Sequence, residues 1–230
     1  MVHFTLFGIP VYIRPSFWVV LAIFGGALSI SSVEDLIYPA LFVIAGFVAI
    51  LSHEMGHALV GRKLGGGQQT IVLELFGGLT SSHGMQLTRG GRALMILAGP
   101  MMTLLLGIIS LWLTWNIVAP VMTSYNLNFW DLAISPFTAA LISPKLYILS
   151  CLIMIGEWWT ILNLLPIYPL DGGHLIAQYI RSPRKVFMTG FITAILIGLL
   201  SFQLFHGYFI PIFMALFAYS NYREYKNAPF

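Results

Sequence analysis

Within an otherwise apolar run, Ala49-Ile50-Leu51-Ser52-His53-Glu54-Met55-Gly56-His57-Ala58-Leu59-Val60 carries three ionisable groups. On a helix, positions i and i+4 share a face one turn apart, so His53 and His57 can offer two imidazole nitrogens to a single metal ion. Glu54 falls beside them, where it can take up or release a proton. H-E-x-x-H is the spacing of zinc hydrolases, two ligands with a general base. Three such groups are costly inside a bilayer, which favours a functional reading. The competing reading is a chance match whose histidines hydrogen-bond neighbouring helices.

The surroundings are those of a membrane protein. Of 230 residues, 58% are hydrophobic and only 8% charged, with a mean hydropathy of +0.87. Soluble chains carry about 25% charged residues, so the composition predicts an all-α polytopic membrane protein, a single domain over residues 1–230. Its basic balance is then a topology signal, not a nucleic-acid footprint. The one cysteine, Cys151, excludes an intrachain disulfide and reads as a packed thiol. Met1-Val2-His3-Phe4-Thr5 lacks the charged start and cleavage site of a signal peptide, so the N-terminus is expected to be retained.

In order along the chain, the alternation through Phe4, Leu6, Ile9, Val11 and Ile13, closed by Pro15, predicts a short hairpin or edge strand at the membrane surface. Six spans are expected: about 16–30, 38–64, 90–118, 145–181 with a break at 163–173, 186–205 and 208–221. The second ends at Arg62-Lys63 and the glycines Gly65-Gly66-Gly67. Residues 68–88 read as a strand or re-entrant hairpin, with Thr70, Ile71, Val72 and Leu73 favouring strand before Gly77-Gly78. Ala98-Gly99-Pro100 in the third span permits close helix approach and a kink. Residues 119–144 form a wetter loop, with Tyr125 and Trp130 suited to the interface. Irregular backbone at membrane depth is tolerated beside protein or a water-filled cavity, so the break at 163–173 is expected to line a site.

Counting through six spans puts ten of the eleven basic residues on one side, with Lys145 alone opposite. The positive-inside rule makes that side the cytosol and places both termini there, as in a prokaryotic cytoplasmic (inner) membrane. His57 precedes Arg62 by five residues, which sets the cluster about 8 Å below the cytosolic interface.

A catalytic zinc takes three protein ligands and keeps a fourth position for water. Intramembrane acids are few, and Asp171, ten residues before Arg181, returns toward the depth of the histidine pair. It is the expected third ligand for one catalytic Zn2+. Glu157, mid-way along the fourth span, is expected to bond a neighbouring helix, with a gate or substrate contact as the alternative. Zinc lowers the pKa of bound water to near 7, Glu54 takes the proton, and an amide carbonyl is attacked. Asn163 is either a donor to the developing oxyanion or a helix C-cap. Of the other histidines, His83 reads as a loop contact, His174 as a packing or supporting residue beyond the ligands, and His3 and His206 as interfacial.

Together, His53-Glu54-x-x-His57, Ala98-Gly99-Pro100 and Asn163-x-x-Pro166-x-x-Pro169-Leu170-Asp171-Gly172 resemble the site-2 protease family of intramembrane zinc metalloproteases. The resemblance covers about residues 45–180. It implies His53, His57 and Asp171 as ligands, Glu54 as base, Asn163 as a substrate or transition-state contact, and transmembrane proteins within the lipid bilayer as substrates. Many bacterial members carry a PDZ insert between the third and fourth spans; 119–144 is too short for one, so the minimal form is implied.

Cleavage of a helix requires its local unwinding. Thr70, Ile71, Val72 and Leu73, with Gly77 and Gly78 after them, could hold an extended substrate by strand addition, or could form a hairpin plugging the cytosolic mouth. Two other functions remain open. One is a metal or small-solute transporter, against which stands the single broken span where transporters often show a related pair. The other is a zinc membrane protease that cuts segments outside the membrane.

Overall fold

The computed structural model describes residues 1–75, 77–125 and 128–229. The interfacial role expected of the Tyr125 side chain lies outside what is described. Two compact units are distinguished, Met1–Thr160 and Ile161–Phe230.

The first unit begins with the expected hairpin, β1 (Val2–Leu6) and β2 (Ile9–Ile13). Phe7 and Gly8 join them with φ of 49° and 75°, the left-handed pair that a two-residue hairpin turn requires. A second antiparallel pair is formed by β3 (Gln68–Glu74) and β4 (Gly77–His83). The two pairs are one sheet of order β1-β2-β3-β4. Their junction is parallel, with Val11, Tyr12 and Ile13 opposite Ile71, Val72 and Leu73. A parallel pair needs a long crossover. Here it is supplied by α1 (Pro15–Phe24), two short 3-10 turns (Ala27–Ser29 and Glu34–Leu36) and α2 (Ile37–Gly65). Alternation explains the seam: Ile9, Val11, Ile13, Ile71 and Leu73 are buried and cluster with Ile50, Met55 and Ala58 of α2.

This arrangement corrects the expectation that Thr70, Ile71, Val72 and Leu73 offer a free edge. β3 is flanked on both sides, and Ile71 and Leu73 are fully buried. The strand that ends the sheet next to β3 is β4, which holds Gly77 and Gly78. A mixed sheet also adds to the all-α expectation.

α3 (Arg89–Tyr125) continues past the expected end at 118, and the expected loop carries two short helices, α4 (Phe129–Ala133) and α5 (Pro136–Ala140). Asn128 and Ser135 cap them, accepting from the amides of Trp130 and Thr138. Trp130 is exposed. α6 (Pro144–Leu164) straddles the boundary between the units. Glu157 is exposed on it.

In the second unit the expected break is present: α6 ends at Leu164, α7 runs Asp171–Ala177, and the helix stops short of Arg181. α8 (Pro183–Phe205) and α9 (Phe209–Asn227) pack along each other over Ile167, Ala194, Met214 and Ala218. Among the described residues, four helices are long and apolar enough to cross a membrane: Glu34–Gly65, Arg89–Pro120, Pro144–Leu164 and Pro183–Leu204. The first expected span is only ten residues of helix, because Gly25 and Gly26 end α1, the latter with φ of 87°.

Candidate metal centre

α2 places His53 and His57 on one face, as their spacing requires, and both imidazoles are buried. Their Nε2 atoms are 3.1 Å apart. His57 Nδ1 lies 2.8 Å from the carbonyl oxygen of Met95 in α3. A carbonyl only accepts, so Nδ1 carries the hydrogen and a neutral ring keeps its lone pair on Nε2. Two nitrogens bound to zinc at 2.0–2.1 Å with a tetrahedral angle sit about 3.3 Å apart. The pair therefore fits one zinc ion with little adjustment. The same separation allows His53 Nε2–H to donate to His57 when the metal is absent.

The close approach of α3 depends on two residues without side chains. A Cβ on Gly56 would overlap the Ala98 carbonyl, and one on Gly99 would overlap the His57 imidazole. The small residues of Ala98-Gly99-Pro100 thus make room for the His57 imidazole, beyond letting two helices meet. Thr103 and Thr160, their hydroxyls 2.9 Å apart, tie α3 to α6 just below, both reaching the Pro100 carbonyl.

Glu54 is buried beside the histidines. Its carboxylate Oε2 accepts a hydrogen bond from the Thr80 hydroxyl at 2.7 Å. Thr80 belongs to β4, and Gly78 two residues earlier packs directly on the Glu54 side chain, where a Cβ would overlap the carboxylate. Gly77 packs on the indole of Trp159, whose ring in turn stands edge-on to that of His53 at 6.4 Å. The first unit thus gathers His53, Glu54, His57, Gly77, Gly78 and Thr80. Sequence reasoning missed Thr80, because a threonine after two glycines has no spacing relation to H-E-x-x-H. His83 is exposed at the end of β4.

In the second unit, Asn163 is buried as the penultimate residue of α6. Asp171 opens α7 after an extended Leu170. Gly172 and Gly173 let the preceding loop lie against that first turn, since a Cβ on either would strike the backbone of residues 164–168. The His174 ring packs on Tyr168 with centroids 4.7 Å apart.

The model of peptidase family M50 matches residues 41–205. The chain belongs to peptidase family M50. The resemblance to site-2 proteases read from the motifs is borne out. Among similar proteins, a zinc metalloprotease of Methanocaldococcus jannaschii is 29% identical over 227 residues, 94% of this chain and 57% of that protein. A Synechocystis sp. relative is 28% identical over 188 residues, 76% of this chain and 43% of its own length. The chain thus spans about half the length of these curated relatives. The fold is that of the solved Site-2 Protease from Methanocaldococcus jannaschii, with a TM-score of 0.61 at 24% identity, covering 97% of this chain and 94% of that one.

Proposed function

We propose that this M50 chain is a zinc endopeptidase that cuts transmembrane proteins within or near the bilayer. The observation that carries this reading is the buried pair of Nε2 atoms 3.1 Å apart with Glu54 beside it. Two imidazoles and a carboxylate suit zinc, so His53, His57 and Asp171 are the ligands. When bound, zinc acidifies water and polarises the scissile carbonyl. Glu54 takes the proton from the attacking water and returns it to the leaving amine. Thr80, donating to Oε2, leaves Oε1 to do so. Asn163 donates its amide hydrogen to the developing oxyanion.

The membrane setting follows the charge asymmetry: six crossings, both termini cytosolic, and a single working domain over residues 1–230. An unwound substrate segment lies along β4, with Gly77 and Gly78 letting its backbone come near Glu54. Support comes from the sheet order, which leaves β4 terminal, and from the Gly78 contact with Glu54.

The test is a purified, zinc-loaded chain in phospholipid nanodiscs with a single-span reporter, its products mapped by mass spectrometry. Cleavage inside or beside the span, lost in Glu54→Gln with zinc retained, is the expected result. Cuts confined to soluble segments would refute the intramembrane part, and cleavage surviving Glu54→Gln would refute the mechanism.

A further inference from the structure

Asn221 enters the sequence as nothing more than the end of the last apolar span, yet only 1% of it is exposed. A buried amide in an apolar helix is expensive unless it has work to do. Its Nδ2 donates to the Tyr168 carbonyl at 2.6 Å and to the Phe217 carbonyl, one turn back in α9, at 2.9 Å. Both neighbours are acceptors, so the amine must face them and the amide orientation is fixed. Its Oδ1 is buried and has no hydrogen-bond donor among the described residues. An unpaired buried oxygen is a cost, which leaves the two donated bonds as the reason for the side chain.

Tyr168 lies three residues before Asp171. The loop between α6 and α7 cannot hold itself as a helix, because Pro166 and Pro169 provide no N–H. Its few internal bonds are tight turns, Ile167 to Leu165 at 2.7 Å and Leu170 to Ile167 at 2.8 Å. Asn221 supplies the missing donor from 53 residues away. α8 makes way for it at Gly190, where a Cβ would overlap Asn221 Oδ1 and crowd the Tyr168 amide. On the other side the Tyr168 ring is held between His174 and Phe187, at 4.7 Å and 5.4 Å.

We propose that Asn221 is a positioning residue for the metal ligand Asp171: by fixing the Tyr168 carbonyl it sets the start of α7 and presents the carboxylate in its ligating position. The proposal rests on the reading of Asp171 as a zinc ligand. Asn221 touches neither metal nor substrate and acts through the loop.

The experiment is a zinc titration against a chelating indicator, using the metal-free full chain in nanodiscs, for wild type, Asn221→Leu, Asp171→Ala and the double variant. Supporting residues behind a metal site typically contribute 10–100-fold in affinity, so Asn221→Leu should weaken zinc binding by about that factor. In the Asp171→Ala background the same change should matter by less than about twofold, because nothing remains to be positioned. An equal loss in both backgrounds would mark Asn221 as a general packing residue and overturn the proposal. So would an Asn221→Leu affinity within about twofold of wild type. If Asp171→Ala alone leaves zinc binding intact, the ligand reading fails, and the positioning role fails with it. Gly190→Ala, which keeps every polar atom but displaces the Asn221 amide, guards against misfolding of the leucine variant and must show the same dependence on background. Hydrogen exchange of residues 164–175 in metal-free protein should quicken in both variants while residues 183–205 stay protected; unchanged exchange at 164–175 counts against the clamp.

Discussion

The two units hold their functional side chains by opposite means. In the first, His53, Glu54 and His57 ride on one continuous helix of 29 residues, and neighbouring elements accommodate them by omission, at Gly56, Gly78 and Gly99. In the second, Asp171 follows six residues without regular structure, and that stretch leans on side chains from elsewhere in the unit, the Asn221 amide on the Tyr168 carbonyl and the rings of His174 and Phe187 on that of Tyr168. A helix positions groups by its own geometry and mainly needs space. A loop needs partners, and those partners can lie anywhere in the chain.

Several measurements would break or sharpen this contrast. Glu54→Gln should lower cleavage of a transmembrane reporter by about 10²–10⁴-fold, the usual contribution of a general base. Zinc content should stay at the wild-type level, since the helix still presents both imidazoles; loss of the metal would show that the helix does not place its ligands independently. Gly99→Val should overpack the α2–α3 crossing, costing about 1–3 kcal/mol of stability. It should also displace the His57 ring, so a thermal melt and a zinc titration should both shift, whereas Gly107→Ala, at a point of the same helix with ordinary clearance, should shift neither. Thr80→Val removes a hydrogen bond to a carboxylate, worth about 1.5–3 kcal/mol, and should slow turnover roughly tenfold or more with metal content unchanged. Arg14→Ala breaks the exposed bridge between Arg14 and Glu74, 2.8 Å long with side chains 59% and 40% exposed. Such a pair is worth at most about 1 kcal/mol, so melting and cleavage should both stay near wild type.

The same contrast explains what could be read from the sequence. H-E-x-x-H was legible because helical spacing is local, and the two antiparallel pairs were legible because alternation and turn glycines are local as well. The long apolar helices and the interruption before Asp171 follow from composition and proline chemistry. The parallel seam between β2 and β3 was hidden, because nothing in Val11-Tyr12-Ile13 names Ile71-Val72-Leu73 as its partner. Without that partner in view, β3 reads from the sequence as an edge, whereas it is flanked by β2 and β4. Thr80 and Asn221 were hidden for a like reason: each acts on a residue 26 or 53 positions away. The 3-10 turns after α1 escaped notice because apolar residues continue past Gly26, suggesting a longer helix than forms.

Strand pairing is also a statement about which side of a bilayer a chain occupies. Ile13 and Leu73 are neighbours in one sheet, so everything between them is a round trip that must cross an even number of times. If α2 makes one crossing, residues 14–36 must make the other, though α1 provides only about 15 Å of rise against a hydrocarbon thickness of about 30 Å. The shortfall shrinks when the sheet's own height is considered. Thr80 meets Glu54, eleven residues before the end of α2, so β4 reaches down about 16 Å along that helix. With α2 as one crossing, the outbound leg would start from within the bilayer, and a ten-residue helix would cover much of what is left.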